Sequence, residues 1–275
     1  MDQDQSIYID LDKIFKTKAP SIYKKTPRFL ISYLKRKVHL DEINNIIRYA
    51  DGAEGVDFMK KTVEYFGIKL NIQGLDKIPQ DGHYIFASNH PLGGLDGICL
   101  STVIGDKFDN KVKYIVNDLL YNIKPLQNIF IPVNKIGSQS KSSIASQVEA
   151  FSSDNQIITF PAGLCSRRQN GEIKDLEWKK TFITKAIENK RDVVPVFFEG
   201  RNSNFFYRFA NLRQRLGIKF NLEMLFLPDE MFKCKDRTFN IIFGQPVPYT
   251  FFDHTKNPKE WAQLVKEESY KLAKK

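Results

Sequence analysis

The sequence predicts an α/β protein built on a central, mostly parallel or mixed sheet flanked by helices. From Lys69 onward, short runs rich in β-branched and aromatic residues alternate with stretches of helical spacing, and no internal repeat or long linker breaks the alternation. The 275 residues, 42% of them hydrophobic, suffice for one sizeable core, so one domain over 69–275, preceded by a helical segment over 1–68, is expected.

Within that first segment the stretch 19–40 stands apart, with Lys24, Lys25, Arg28, Lys35, Arg36 and Lys37 around Ile22, Phe29, Leu30, Tyr33, Leu34 and Val38. It reads as a basic amphipathic helix opening at Thr26-Pro27, where a hydroxyl can cap free amides and proline fits the first turn. Such a helix is either a membrane-facing anchor lying in the lipid interface or a helix docked on the core with its charges in water. No run approaches the about 18 apolar residues of a bilayer span, and residues 1–18 carry acids where a signal peptide carries bases. The expected location is the cytoplasmic side, with any membrane contact lateral.

Strands are expected at 83–88, 113–116, 129–133, 156–160 and 193–198, with later ones at 222–227 and 239–243. Tyr84, Ile85 and Phe86 in the first of these are core candidates. Helices are expected at 142–151 and 179–188, and a last one opens at Asn257-Pro258 with Trp261, Leu264 and Val265 inward. The stretch 205–216 sets Phe205, Phe209, Leu212 and Leu216 on one helical face among Arg208, Arg213 and Arg215. It fits a core helix with solvated arginines, or a surface that sinks into lipid headgroups.

Lys and Arg number 42 against 32 Asp and Glu, and the net charge of +10 favours anionic partners: nucleic acid, anionic lipid or an acidic carrier protein. The basic residues form no nucleic-acid reader motif, which argues against nucleic acid. Cys99, Cys165 and Cys234 have no metal-ligand spacing, so neither a zinc site nor a disulfide framework is expected.

The chemistry concentrates in Ser88-Asn89-His90-Pro91-Leu92-Gly93-Gly94-Leu95-Asp96-Gly97, directly after a predicted strand. A histidine at a strand end, ahead of a glycine turn and an acid, is arranged for proton transfer. Imidazole can take a proton from a hydroxyl, and a carboxylate on its second nitrogen fixes the tautomer and stabilises the cation. Gly93 and Gly94 would let the chain fold back so that Asp96 reaches His90. No serine or cysteine nucleophile sits at the turn, so direct attack by a substrate hydroxyl is the expected mechanism. His39, His83 and His254 lack acids at useful spacing and stay unassigned, while Asp118 and Asn134 are polar residues in apolar surroundings that would suit a cleft.

Asn89-His90 followed by Asp96 resembles the first motif of the glycerolipid acyltransferases, the lysophosphatidic acid acyltransferase superfamily. Residues 128–135, ending in Asn134-Lys135, resemble its second block, an acceptor-binding strand; Phe160-Pro161-Ala162-Gly163-Leu164-Cys165-Ser166-Arg167-Arg168 resembles its third; Val193-Val194-Pro195-Val196 resembles the hydrophobic strand of its fourth. Two features depart from the common pattern. Five residues rather than four separate the histidine from the acid, and Ala162 stands where the family has glutamate. Both departures resemble a subgroup of the superfamily labelled hemolysins, whose members are associated with O-acylation in the synthesis of ornithine and glycine lipids.

The resemblance implies transfer of a fatty acyl chain from an acyl carrier protein or coenzyme A thioester to the hydroxyl of a lyso-lipid. The acceptor would be a lyso-aminolipid or 1-acylglycerol-3-phosphate. His90 would be the base and Asp96 its orienting partner, and no metal or other cofactor is implied. Arg167, Arg168 and Lys179, with Asn134 and Lys135, would hold the acceptor's phosphate or carboxylate. Backbone amides at Gly163 and Leu164 would face the oxyanion. The basic surface would attract an acidic carrier protein and hold the chain peripherally on the cytoplasmic side of the inner membrane. Two other classes compete. A non-catalytic basic lipid-binding protein leaves the histidine motif unexplained, and a lipid hydrolase would declare a nucleophile or metal ligands that are not visible.

Overall fold

The computed structural model describes residues 27–37, 39–117, 123–133, 141–218 and 221–273. Helices α1 (Arg28–Lys37), α2 (Leu40–Tyr49) and α3 (Gly55–Tyr65) precede a seven-stranded sheet. Its strands are β1 (Lys69–Gln73), β2 (Tyr84–Ser88), β3 (Val112–Asn117), β4 (Phe130–Val133), β5 (Gln156–Thr159), β8 (Asp192–Phe198) and β9 (Thr238–Phe243), in the order β1-β9-β8-β2-β5-β3-β4. Every neighbouring pair is parallel except β8 with β9, so the sheet is mixed. Helix α4 (Leu95–Lys107) follows β2, α5 (Lys141–Ser152) precedes β5, and α6 (Thr181–Glu188) precedes β8. Helices α7 (Asn204–Arg215), α8 (Leu227–Phe232) and α9 (Pro258–Leu272) complete the chain. No helix among the described residues is long and apolar enough to cross a membrane.

β2 explains why the sheet forms as it does. All five of its residues are buried, as in a strand covered on both faces. Tyr84 and Phe86 enter one apolar cluster with residues of α2, α3 and α4, and Ile85 and Ala87 enter the other with residues of α6 and α9. The helices ahead of β1 thus share the core of the sheet through Ile46, Ile47, Phe58 and Met59. Helix α9 opens with a capping box, in which Asn257 accepts from the Glu260 amide while the Glu260 carboxylate takes the Asn257 amide. Trp261 and Val265 are buried beneath it, and Leu264 is partly buried against the same cluster.

One expected strand is not there. Residues 222–227 form the 3₁₀ turn Leu222–Phe226 leading into α8. The run Leu-Glu-Met-Leu-Phe-Leu is apolar but not β-branched, and Pro228 fits the first turn of a helix. A hairpin not expected from the sequence joins β6 (Arg167–Gln169) to β7 (Glu172–Lys174) through Asn170 and Gly171, both at positive φ.

Candidate active site

Because β2 runs parallel to both β5 and β8, the ends of these three strands lie at one edge of the sheet, and His90 sits just past it. Asn89 fastens that edge. Its side chain donates to the Phe198 carbonyl at 2.9 Å and accepts from the Phe198 amide at 2.7 Å, joining the ends of β2 and β8. The resulting loop is held from above as well, where Asn202 donates to the Pro91 carbonyl at 3.2 Å.

Across the loop, His90 Nδ1 lies 3.0 Å from Asp96 Oδ2. Asp96 is fully buried in the first turn of α4, where the positive end of the helix favours an anion. Oδ2 also accepts from the amides of Leu92 at 2.9 Å and Gly93 at 3.2 Å, and Oδ1 from Gly97 at 3.0 Å. Burial alone would raise this carboxyl. The charge and hydrogen bond of His90, together with the Leu92 and Gly93 amides, outweigh it and hold Asp96 below the usual carboxylate range. An ionised Asp96 keeps the imidazole proton on Nδ1, which makes Nε2 the basic nitrogen.

Of the two glycines in the loop only Gly93 is required. It has φ +83, and a Cβ there would come within 2.8 Å of Leu227. Gly94 has a negative φ of −159 and open space around it. The extra residue between histidine and acid is therefore taken up in a turn that Asp96 itself caps.

The third motif wraps the other side of His90. Phe160 stacks on the imidazole with ring centroids 4.1 Å apart, and the Ser166 amide donates to the His90 carbonyl at 2.7 Å. Between them Ala162 is buried in the same apolar cluster as Trp178, so a methyl group suits the place where the family has a carboxylate. Gly163 sits at φ +69, and its amide donates to the Phe160 carbonyl at 2.9 Å. That bond engages the Gly163 amide in the turn.

Asp175 gathers these pieces, and no local pattern in the sequence marks it. Its Oδ1 accepts from the His90 amide at 3.2 Å and the Ser166 hydroxyl at 2.6 Å, and its Oδ2 from Trp178 Nε1 at 2.9 Å. Its own amide donates to the Tyr270 hydroxyl at 2.8 Å. Burial raises the Asp175 carboxyl despite these donors. Cys165 in the same turn is buried and its thiol is pushed up to about 11 by that burial, so it is no thiolate nucleophile near neutral pH.

The expected cations separate. Arg167 is buried, with Nη2 2.9 Å from Glu223 Oε1, and Arg213 Nε lies 2.8 Å from the other oxygen. The Arg167 guanidinium, expected at the headgroup, is thus spent on a buried carboxylate beneath the surface. Arg168 is partly exposed, shares Asn204 Oδ1 with Arg201 at 2.8 Å each, and lies over the Tyr207 ring. Lys179 is exposed, and its Nζ reaches to 3.3 Å from where a Gly163 Cβ would stand. Asp118, Asn134 and Lys135 lie outside the described residues.

Two other histidines have acids that spacing did not reveal. His39 contacts Glu42 at 3.1 Å and, 190 residues along the chain, Asp229 at 3.0 Å, while His83 lies 3.5 Å from Asp154 at the far end of β2. Neither shares the His90 loop. No cluster of three or more side chains suited to a metal ion occurs among the described residues.

Comparison with known proteins follows the same lines. The profile of the family described as Acyltransferase matches residues 13–275. A lyso-glycine lipid O-acyltransferase from Bacteroides thetaiotaomicron is 54% identical over 273 residues, covering 99% of this chain and 100% of the relative. Another of the same name from Phocaeicola vulgatus is also 54% identical, covering 99% of this chain and 98% of the relative. The crystal structure of the 1-acyl-sn-glycerophosphate (LPA) acyltransferase PlsC from Thermotoga maritima aligns over 90% of each chain with 15% identity and a TM-score of 0.49. Matched by the profile from residue 13 to its last residue, and by two relatives over almost their whole length, this chain belongs to the acyltransferase family.

Proposed function

We propose that this chain transfers a fatty acyl group from an acyl thioester to the hydroxyl of a lyso-lipid, and that the acceptor is a lyso-glycine lipid. The observation that carries the chemistry is the His90–Asp96 pair at 3.0 Å, with Asp96 buried and held ionised. The acceptor rests on the names of the two 54% identical relatives.

In this reading His90 Nε2 takes the acceptor's hydroxyl proton as that oxygen attacks the thioester carbonyl. Asp96 stays ionised and stabilises the imidazolium without taking its proton. The tetrahedral oxyanion is met by the Leu164 amide, since the Gly163 amide is engaged in its turn. Collapse expels the thiolate of the carrier, which the imidazolium protonates. Arg168 and Lys179, near the surface of the third-motif turn, attract the acceptor's carboxylate, with Asn134 and Lys135 as further candidates. Either an acyl carrier protein or coenzyme A delivers the acyl chain. The net charge of +10 suits an acidic carrier and an anionic membrane, and donors made in the cytoplasm support a peripheral site at the cytoplasmic face of the inner membrane.

The test offers acyl carrier protein and coenzyme A thioesters with lyso-glycine lipid or lysophosphatidic acid in separate reactions. Wild-type protein is expected to acylate lyso-glycine lipid, and His90→Ala to lose at least about 100-fold of that rate. Robust transfer by His90→Ala would refute the base. Transfer to lysophosphatidic acid alone would refute the acceptor.

A further inference from the structure

We propose that the outer face of α7 is a docking surface for an anionic lipid bilayer, seating the protein so that the acceptor reaches His90 laterally from the membrane. The proposal rests on the lyso-lipid reading above and adds to it the surface that meets the lipid.

Helix α7 is two-sided. Phe206, Tyr207, Ala210 and Arg213 are buried, while Phe205 is 51% exposed, Leu212 52% and Leu216 65%. Phe205 and Phe209 stack at 5.8 Å, both meet Phe226 edge-on, and with Arg208 and Leu212 they line a shallow hollow of about 300 Å³. Large apolar side chains left together in water on one helix face mark an interaction site.

Charge identifies the occupant. Exposed Arg208 and Arg215 flank the apolar residues, and from Gly200 to Phe220 the sequence contains no Asp or Glu. An apolar face rimmed by arginine without acids fits a bilayer bearing anionic headgroups, where the rings enter the acyl boundary and the guanidinium groups meet phosphate. Helix α1 packs beside the Leu222–Phe226 turn that also supports α7. There Phe29 is 75% exposed between exposed Arg28 and Ser32.

Its position fits the reaction. Helix α7 begins six residues after β8, at the sheet edge that carries His90, and Asn202 just ahead of it holds the Pro91 carbonyl. A bilayer lying on α7 is therefore next to the His90 loop.

The experiment measures co-sedimentation with phosphatidylcholine vesicles, with and without phosphatidylglycerol, for wild type, His90→Ala, the pair Leu212→Glu/Leu216→Glu and the pair Arg208→Glu/Arg215→Glu. Circular dichroism and light scattering monitor folding and oligomeric state. Wild type and His90→Ala are expected to bind the anionic vesicles equally, and both α7 pairs at least about tenfold less. Turnover of lyso-glycine lipid in detergent micelles is expected to stay within about twofold of wild type for the α7 pairs and to vanish for His90→Ala. Wild-type protein that ignores anionic vesicles, or folded α7 variants that bind them undiminished, would overturn the proposal. So would variants that only turn a dimer into monomers, since the face would then belong to a second copy. Vesicle binding that depends on α7 without turnover of any acceptor would sink the catalytic reading and leave the docking surface standing.

Discussion

The Asp175 carboxylate accepts the backbone amide of His90 at 3.2 Å, so the residue that carries the imidazole is fixed from a site 85 residues away. The same carboxylate takes Ser166 and Trp178, which makes it the shared anchor of the first and third motifs.

Asp175→Asn presents an NH2 group to one of those three donors and breaks the knot. Transfer is expected to lose about 10- to 100-fold in kcat with the acceptor KM within about twofold, because the base is misplaced while the headgroup contacts remain. Steady-state kinetics check this. The folded-state pKa is raised, so the contribution of Asp175 to stability is present below its ordinary value of 3.8 and is lost as pH rises through the higher folded value. Asp175→Asn is expected to remove that loss from the pH profile of the denaturation midpoint.

Asp96→Asn tests the opposite sign. The folded pKa of Asp96 is lowered, so its contribution is present above its ordinary value of 3.8 and disappears as pH falls through the lower folded value. Urea titrations should show wild type more stable than Asp96→Asn near neutral pH, with the gap closing below about pH 4. Transfer at neutral pH should fall by up to about 10⁴-fold, since an amide no longer imposes the productive tautomer.

The arginines of the third motif should separate by readout. Arg167→Met leaves Glu223 buried with only Arg213 and is expected to cost about 3 kcal/mol of stability, with little change in acceptor KM. Arg168→Ala and Lys179→Ala should each raise the KM for lyso-glycine lipid by about tenfold at nearly unchanged stability. A large KM effect confined to Arg167→Met would reverse the assignment.

Restoring the family's acid is expected to harm this protein. Ala162→Glu puts a carboxylate into the buried apolar cluster that holds Trp178, Ile131 and Ala87. A loss of about 3 kcal/mol or more in chemical denaturation is expected, and unchanged stability would show that the turn rearranges to expose the new side chain.

The sequence by itself determined the alternation of strands and helices, because each buried strand carries its own apolar run, and it determined the His90–Asp96 pair, because those residues lie close along the chain around a glycine that must adopt positive φ. The β6–β7 hairpin was not read from the sequence, although Asn170-Gly171 is the dipeptide such turns favour. The apolar run at 222–227 was read as a strand because hydrophobicity alone does not separate a short buried strand from a helical turn, whereas its Leu, Met and Glu content and Pro228 favour the helix. Only the tertiary structure decided which polar residues face the reaction and which hold the frame. Arg167 and Arg168 are adjacent in sequence, yet one is buried on Glu223 and the other reaches Asn204 near the surface. Asp175 gives no local signal, because its partners His90, Ser166 and Tyr270 come from separate segments that meet only when the end of β2, the third-motif turn and α9 pack together. A carboxylate's partners in a folded chain are set by that packing, and one-dimensional spacing reveals them only where the chain returns to itself within a single turn.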